Sequence, residues 1–393
     1  MKKLLQLNAT ANWGSTGKIA EGIGLSAMER GWKSYIAYGR YMNPSKSDLI
    51  KVGSNHNVYA HYVRNRCFDG EGLGSKNPTK QLIQRIEQIC PDIIHLHNIH
   101  DHWLNYPILF DYLATVHTPV VWTFHDCWAF TGGCYHFENI KCLKWKGQGC
   151  ISRCPLNHKR AWRNYAVREK CISRIGSRLN VVTVSEWLKQ YAEESMINNY
   201  GADISVIYNG INVDSVFNLG GAKHRRILGV SNVWSVSKGL NDFYRLREIL
   251  PSDIEIVLVG LQEKQLRTLP SGIKGITRTS DCKELAELYA SAAVFVNPTY
   301  NDSFPTVNLE ALACGTPVIT YRTGGSPEAI DANTGIVVDK GDIYGLARSI
   351  TEVVNFPQRY SSSNCRERAV LNFNQKFQFK KYIDLYDNLI ANE

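Results

Sequence analysis

Two carboxylates, Asp302 and Glu310, stand with seven residues between them in the segment Asn297 to Pro327, NPTYNDSFPTVNLEALACGTPVITYRTGGSP. They can serve one ligand only if the chain brings both to the same edge, and the patterning does so. A strand tail, Ala293-Val294-Phe295-Val296, breaks at Pro298, and a polar loop carries Asp302 and Ser303. A short helix is predicted from Thr306 to Ala313, stopped by Gly315 and Pro317. A buried strand, Val318-Ile319-Thr320, completes a βαβ unit of a parallel sheet. Ligands of such sheets bind at the carboxyl ends of the strands, where helix N-termini present free N–H groups. The competing reading is an ordinary αβ hairpin with two surface acids.

Other chemistry-bearing residues fall at equivalent places. Lys238 lies in Ser231–Gly239, a loop that follows a strand and opens a helix, where a cation can stabilise charge on a leaving group. His125 and Asp126 follow the strand Val120–Phe124. A histidine there can donate to a hydroxyl or share a proton near neutral pH. His97 and Asn98 end the preceding strand and either line a cleft for an acceptor or only satisfy loop backbone. Between the first strand and helix, Asn12-Trp13-Gly14-Ser15-Thr16-Gly17-Lys18 lets backbone approach a phosphate or sugar at Gly14 and Gly17. The phosphate loop of nucleoside triphosphatases is excluded, because it needs Gly where Asn12 stands and Ser or Thr where Ile19 stands.

The elements that must hold these residues alternate. Strand-like runs are Lys3–Leu7, Lys33–Tyr38, Asp92–His97, Val120–Phe124, Val181–Ser185 and Ile204–Tyr208, the last ending at the turn Asn209-Gly210. The pattern restarts with Arg226–Val230, Ile254–Gly260, Ile273–Arg278, Ala293–Asn297, Val318–Thr320 and Ile336–Asp339. Amphipathic stretches such as Lys80–Cys90 and Trp187–Met196 lie between strands. This is α/β organisation in two Rossmann-like halves, 1–215 and 216–375, with a cleft between them.

With 393 residues, 44% hydrophobic and 21% charged, the chain has the composition of a soluble globular protein of two domains. No apolar run reaches 18 residues, and Leu4–Leu7 is too short for a signal peptide, which points to a cytoplasmic protein. The formal charge of +9 has one source: Lys141 to Arg178 holds eleven Lys or Arg and a single acid, Glu169. Lys159, Arg163, Lys170 and Arg174 share one helical face there, with Trp162, Tyr165, Ala166 and Ile172 beside it. The stretch 157–176 reads as peripheral membrane contact or a site for an anionic acceptor, or as a solvated helix packing its aromatic side inward. No base-reading motif is present, so no nucleic acid is expected. Five of the eleven cysteines lie between Cys127 and Cys154. Cys134, Cys142, Cys150 and Cys154 are the candidate ligands of a structural zinc, with reduced thiols the alternative.

The run Asp302-Ser303-Phe304-Pro305-Thr306-Val307-Asn308-Leu309-Glu310-Ala311-Leu312-Ala313-Cys314-Gly315-Thr316-Pro317-Val318 resembles the donor-binding segment of the retaining nucleotide-sugar glycosyltransferases of family 4 (group 1), which have the GT-B fold. Their motif has two acids with seven residues between, and here the first is Asp rather than Glu. The resemblance extends over nearly the whole chain, from the glycine loop to Gly324-Gly325-Ser326-Pro327-Glu328. His125-Asp126-Cys127-Trp128-Ala129-Phe130-Thr131-Gly132-Gly133-Cys134 fits a variant found in polysaccharide-assembling members.

The resemblance implies a nucleoside-diphosphate-sugar donor whose ribose meets Glu310 and whose sugar and phosphates lie near Asp302. Phe304, Pro305, Thr306, Gly14, Gly17 and Lys238 would also be donor-binding. It implies catalysis without a metal, a histidine (His125) on the donor sugar beside the acceptor, and Asp126 orienting it or meeting the acceptor hydroxyl. A final helix over 376–393 would return to the first domain. The family pairs its lysine with an arginine, but Asn232 stands there, so one cation on the pyrophosphate is missing. The acceptor implied is a saccharide, carried on a lipid in bacterial surface polysaccharide biosynthesis. A nucleotide-sugar epimerase of similar fold and a non-catalytic nucleotide-sugar-binding protein are the rival readings.

Overall fold

Strands such as Leu4–Leu7 and Val120–Phe124 are apolar at nearly every position, as suits a parallel sheet covered on both faces. The structure, a computed structural model, describes residues 1–146, 149–150, 159–214 and 222–392. The chain forms two compact units, Met1–Tyr208 with Lys376–Glu393, and Asn209–Gln375.

The first unit runs β1 (Lys3–Asn8), α1 (Gly14–Glu29), β2 (Lys33–Tyr38), β3 (Asp48–Lys51), α2 (Asn55–Phe68), α3 (Lys76–Ile89), β4 (Ile93–Leu96), α4 (Tyr106–Leu113), β5 (Val120–Phe124), α5 (Ala161–Ile175), β6 (Leu179–Thr183), α6 (Glu186–Glu193) and β7 (Asp203–Val206). Its seven parallel strands are ordered β3-β2-β1-β4-β5-β6-β7. The direction of winding reverses between β1 and β4, which opens a crevice beyond their carboxyl ends. Helix α2 starts at a capping box: Ser54 accepts from the Asn57 N–H and the Asn57 side chain accepts from the Ser54 N–H. Strand β3 was not foreseen, since four residues at a sheet edge, Asp-Leu-Ile-Lys, carry almost no periodic signal.

The second unit runs β8 (His224–Val230), α7 (Leu240–Ile249), β9 (Glu255–Val259), α8 (Glu263–Leu266), β10 (Ile273–Ile276), α9 (Cys282–Ser291), β11 (Ala292–Asn297), α10 (Thr306–Ala313), β12 (Val318–Tyr321), β13 (Gly335–Val338), α11 (Ile343–Asn355) and α12 (Ser362–Phe373). Its six parallel strands are ordered β10-β9-β8-β11-β12-β13, reversing between β8 and β11. The core is built from Ile227, Phe243, Ile256, Leu258, Val294 and Ile319 with the inner face of α11.

Helix α13 (Gln375–Ala391) lays Phe379, Tyr382, Ile383 and Tyr386 against Leu4, Ile23, Ile93 and Val121 of the first unit. Lys2 pairs with Asp387 at 2.6 Å and Arg30 with Asp384 at 2.8 Å along its outer side. The basic helix needs correction. Lys159 precedes α5 rather than lying on it, and only Tyr165 and Ile172 of the aromatic-apolar set are buried, while Trp162 and Ala166 are exposed. Arg163 donates to the Phe68 and Asp69 carbonyls and Arg174 pairs with Asp111, so half of the basic stripe is spent on internal contacts. Residues 157 and 158 of the proposed membrane stretch lie outside the described residues. Among the described residues no helix is long and apolar enough to cross a membrane.

Candidate active site

In the second unit the reversal between β8 and β11 puts the loops after these strands side by side. Lys238 ends a short 3-10 turn, Val236–Lys238, between β8 and α7. Its ammonium lies 2.7 Å from Asp302 Oδ2 in the loop after β11, and both groups are partly exposed. The first turn of α10 begins four residues beyond Asp302, with Pro305 at its cap position and no capping side chain. Helix start and cation thus meet at one strand edge, a setting that favours an anion, while Asp302 holds the ammonium in place.

A signal missed in the sequence surrounds this pair. The side-chain oxygens of Asn301, Ser303, Thr323 and Ser326 are buried with no hydrogen-bond partner among the described residues. Native proteins rarely leave such atoms unanswered, and four on the adjoining loops after β11 and β12 mark a place for a polar ligand. Gly324 lets these loops meet. Its φ is +53°, and a Cβ there would stand 1.7 Å from the Asp302 carbonyl oxygen.

Glu310, on the second turn of α10, accepts a hydrogen bond from the Tyr289 hydroxyl at 3.1 Å. Burial first, and then the nearby carboxylate, raise the Tyr289 phenol well above its ordinary range, so it remains a donor. Behind them Asn297 donates to Asn308 Oδ1 at 2.8 Å, tying β11 to α10. Phe304 is buried with its ring 5.6 Å from Phe373, so its side chain builds the unit rather than facing a ligand. Pro305 is buried too, while Thr306 is partly exposed.

The first unit builds its edge from histidines. Gln6 donates its amide to the Ala20 carbonyl at 2.8 Å, which turns its Oε1 to His97 Nε2 at 3.1 Å. An amide oxygen only accepts, so His97 carries its proton on Nε2 and offers a lone pair at Nδ1. His125 Nε2 lies 3.1 Å from that lone pair and donates to it. A neutral His125 therefore keeps its proton on Nε2 and presents Nδ1 as an acceptor. Burial lowers the His97 pKa well below the usual value and takes His125 down to about 4, so both rings are neutral at pH 7.

His95 is locked beneath them. The Thr123 hydroxyl donates to Tyr382 at 3.2 Å and accepts from His95 Nε2 at 2.8 Å, and the Tyr386 hydroxyl donates to His95 Nδ1 at 2.6 Å. His97, read from the sequence as lining an acceptor cleft, is only 1% exposed and acts through His125. Asn98 is partly exposed, and its N–H is held by the Asn8 side chain at 3.2 Å.

Asp126 does not orient His125. Its Oδ2 lies 3.2 Å from His100 Nε2 and its Oδ1 accepts the Trp128 N–H at 2.8 Å. Burial opposes charge on both partners, yet each outweighs it for the other: the His100 pKa is raised and that of Asp126 is lowered, so they form an ion pair. The sequence held a faint sign of this layer, since Gln6 and His95 are polar positions inside otherwise apolar strands. Gly14, with φ +66°, opens α1, and Gly17 passes close enough to the preceding loop that a Cβ would lie 2.8 Å from Thr10 Oγ1. Both glycines belong to the first unit, and Lys238, Asp302 and Glu310 to the second.

Cys134, Cys142 and Cys150 are buried, and Cys154 lies outside the described residues. The loop that carries them has an apolar filling of its own, with Phe137 5.0 Å from Trp145 and 5.0 Å from Tyr191, and Trp187 5.1 Å from Tyr191.

The profile described as Glycosyltransferase Family 4 matches residues 24–215, and that described as Glycosyl transferases group 1 matches residues 224–355. Over its length the chain is similar to an Escherichia coli K12 protein named "Putative colanic acid biosynthesis glycosyl transferase WcaC", 24% identical, covering 98% of this chain and 100% of that one. Among solved structures it is similar to sucrose-phosphate synthase from Thermosynechococcus elongatus, with a TM-score of 0.73 at 17% identity, covering 100% of both chains. Anabaena HepE in complex with UDP-glucose matches with a TM-score of 0.66 at 15% identity, covering 99% of this chain and 100% of that one.

Proposed function

The chain belongs to the group 1 glycosyltransferases of family 4, with the GT-B fold, and from that premise we propose that it moves a sugar from a nucleoside-diphosphate-sugar to a saccharide acceptor with retention of configuration. The observation that carries this reading is the Lys238–Asp302 pair at 2.7 Å, set before α10 among unanswered buried hydroxyls. A diphosphate beside Lys238 would meet the cation and the free N–H groups of the helix start, and these would stabilise negative charge as the sugar leaves. Asn232 removes one cation from that group, which leaves more of the work to Lys238. Glu310, held by Tyr289, would accept from the ribose hydroxyls.

In the reaction, the bond from the anomeric carbon to the diphosphate oxygen breaks and a bond to the acceptor oxygen forms on the same face. The acceptor proton passes to the departing phosphate oxygen, so no side chain need act as nucleophile. His125, neutral and protonated on Nε2, would accept a hydroxyl proton of the sugar at Nδ1 as a hydrogen bond. The acceptor we propose is a lipid-linked oligosaccharide of bacterial surface polysaccharide assembly, reached from the cytoplasmic side with α5 near the membrane. A structural zinc on Cys134, Cys142, Cys150 and Cys154 would need thiols brought together, and among the described residues Cys134, Cys142 and Cys150 do not gather as a ligand group.

The test is a thermal-shift series with UDP-, GDP- and ADP-sugars, each beside its bare nucleoside diphosphate. A donor at one hundred times its Kd stabilises by about 2.7 kcal/mol. One base should shift the melting temperature, and Glu310→Ala should cut the shift at the same donor concentration to about half or less. A shift without any sugar transfer or hydrolysis would favour the binding-protein reading, and conversion of the donor sugar without release of nucleoside diphosphate would favour the epimerase.

A further inference from the structure

The turn after β4 faces two ways. His100 reaches Asp126, while the next two residues, Asp101 at φ +76° and His102 at φ +67°, are both left-handed without being glycine. Each such residue costs roughly 1–2 kcal/mol. Arg40 bonds Asp101 at 2.6 Å and Asn65 donates to His102 Nε2 at 2.9 Å, and these contacts hold the turn. Its outer side opens on a cavity of about 360 Å³ between the loop after β2 and the start of α2. That volume is in the range of ligand sites.

Three tyrosines line this cavity with large solvent-facing areas, Tyr41 at 52%, Tyr59 at 69% and Tyr62 at 46%. Single exposed aromatics are ordinary, but three converging on one hollow with an amide, an imidazole and a guanidinium are not. Two of the rings are braced: Trp13 lies 4.8 Å from Tyr41, Arg40 lies 5.2 Å over Tyr41, and Tyr62 stands edge-on to His102 at 5.5 Å. Aromatic faces, two of them held in place, beside a few hydrogen-bonding groups fit the axial C–H face and equatorial hydroxyls of a pyranose.

We propose that this cavity is a subsite for a neutral pyranose unit of the acceptor, a proposal that rests on the glycosyltransferase reading. Neutrality follows from the lining: among the described residues Arg40 is its one cation and is offset by Asp101, and His102 is held neutral by burial. A cation is not the occupant either. Glu71, Asp101 and His102 come close enough to share one, but Glu71 already accepts from the Tyr135 hydroxyl and the Asp101 N–H, and Asp101 is paired with Arg40.

The experiment is saturation-transfer NMR on the full chain with the methyl glycosides of glucose, galactose and fucose, and with methyl glucuronoside as the charged contrast. Neutral glycosides should give signal on one ring face, and Tyr59→Ser or Tyr62→Ser should weaken binding at least about fivefold, as loss of one aromatic contact would. Both tyrosines are surface residues, so the melting temperature should stay put. Equal signal in these variants, no signal with any glycoside, or preference for the glucuronide would each overturn the proposal. So would signal lost only in Glu310→Ala, which would place the sugar in the donor site. Binding to anionic vesicles that needs Tyr59, with no glycoside signal, would overturn it in favour of a membrane surface. The UDP-sugar thermal shift, run on the same variants, reports separately on the glycosyltransferase reading.

Discussion

The two units repeat one architecture and furnish its carboxyl edge with opposite chemistry. At the reversal point of the first sheet stand Gln6, His95, His97 and His125, a chain of neutral rings with fixed proton positions. At the reversal point of the second stand Lys238, Asp302 and a helix start, a set of full and partial charges among buried hydroxyls. Ten of the eleven histidines fall in the first unit, and the eleventh, His224, is exposed. Shared topology decides where a ligand can sit, while the side chains decide whether that place handles hydroxyl protons or phosphate charge.

The charged edge should show the largest effect. Lys238→Ala is expected to lower transfer, and hydrolysis of the donor, by about a thousandfold in kcat, as removal of a key electrostatic group does. Steady-state release of nucleoside diphosphate measures it, and a loss under tenfold would remove Lys238 from the reaction. The neutral edge comes next. His125→Ala should lower kcat by roughly a hundredfold or more while leaving the donor thermal shift in place. In His97→Phe, nitrogen shifts of histidine-labelled protein should show His125 losing its preference for the Nε2–H form. Finding His125 protonated on Nδ1 in the native chain would break the relay from Gln6.

Glu310→Ala sharpens the contrast within the second unit. The donor Kd should rise about ten- to hundredfold through a lost charge-assisted hydrogen bond, with a smaller change in kcat once donor is saturating. Tyr289→Phe should give a milder version of the same shift.

Acid separates the units with the smallest effect. Burial holds His61 and His125 at about 4 and lowers His95 and His97 as well, whereas unfolded histidine titrates near 6.5. Between these values the unfolded chain binds more protons than the folded one, so stability of the first unit falls as pH drops from 6.5 toward 4. His100, with its raised pKa, has the opposite sign: its contribution is present below 6.5 and lost as pH rises through its folded value. Peptide-resolved hydrogen exchange at pH 7 and pH 5 should show β4 and β5 losing protection relative to β11 and β12. Equal loss in both would show that the histidines do not set the difference.

Much of this was legible in the chain. The helix Thr306–Ala313 is legible because Gly315 and Pro317 stop it and a polar loop precedes it. Strands β1 and β5 are legible nearly to the residue because covered parallel strands are near-continuous apolar runs, and β2 through its aromatic and β-branched tail Tyr35-Ile36-Ala37-Tyr38. Strand β3 and helix α2 escaped, one being too short and the other having its apolar side chains spread around the helix. Asp302, Glu310 and Lys238 were found through spacing. Gln6 and His95 were not, since a polar residue inside an apolar strand is visible but its partner, 91 residues away for Gln6 and 291 for His95, is not.

By itself the amino-acid sequence determined the two α/β repeats and which short loops carry charge, because periodicity and turn residues act over a few positions. Tertiary structure decided which nitrogen of His125 bears a proton, that Asp126 serves His100, and that Tyr41, Tyr59 and Tyr62 share one hollow with His102. Those facts depend on contacts between distant strands and loops, and a hydrogen bond has a direction only once both of its ends are in place.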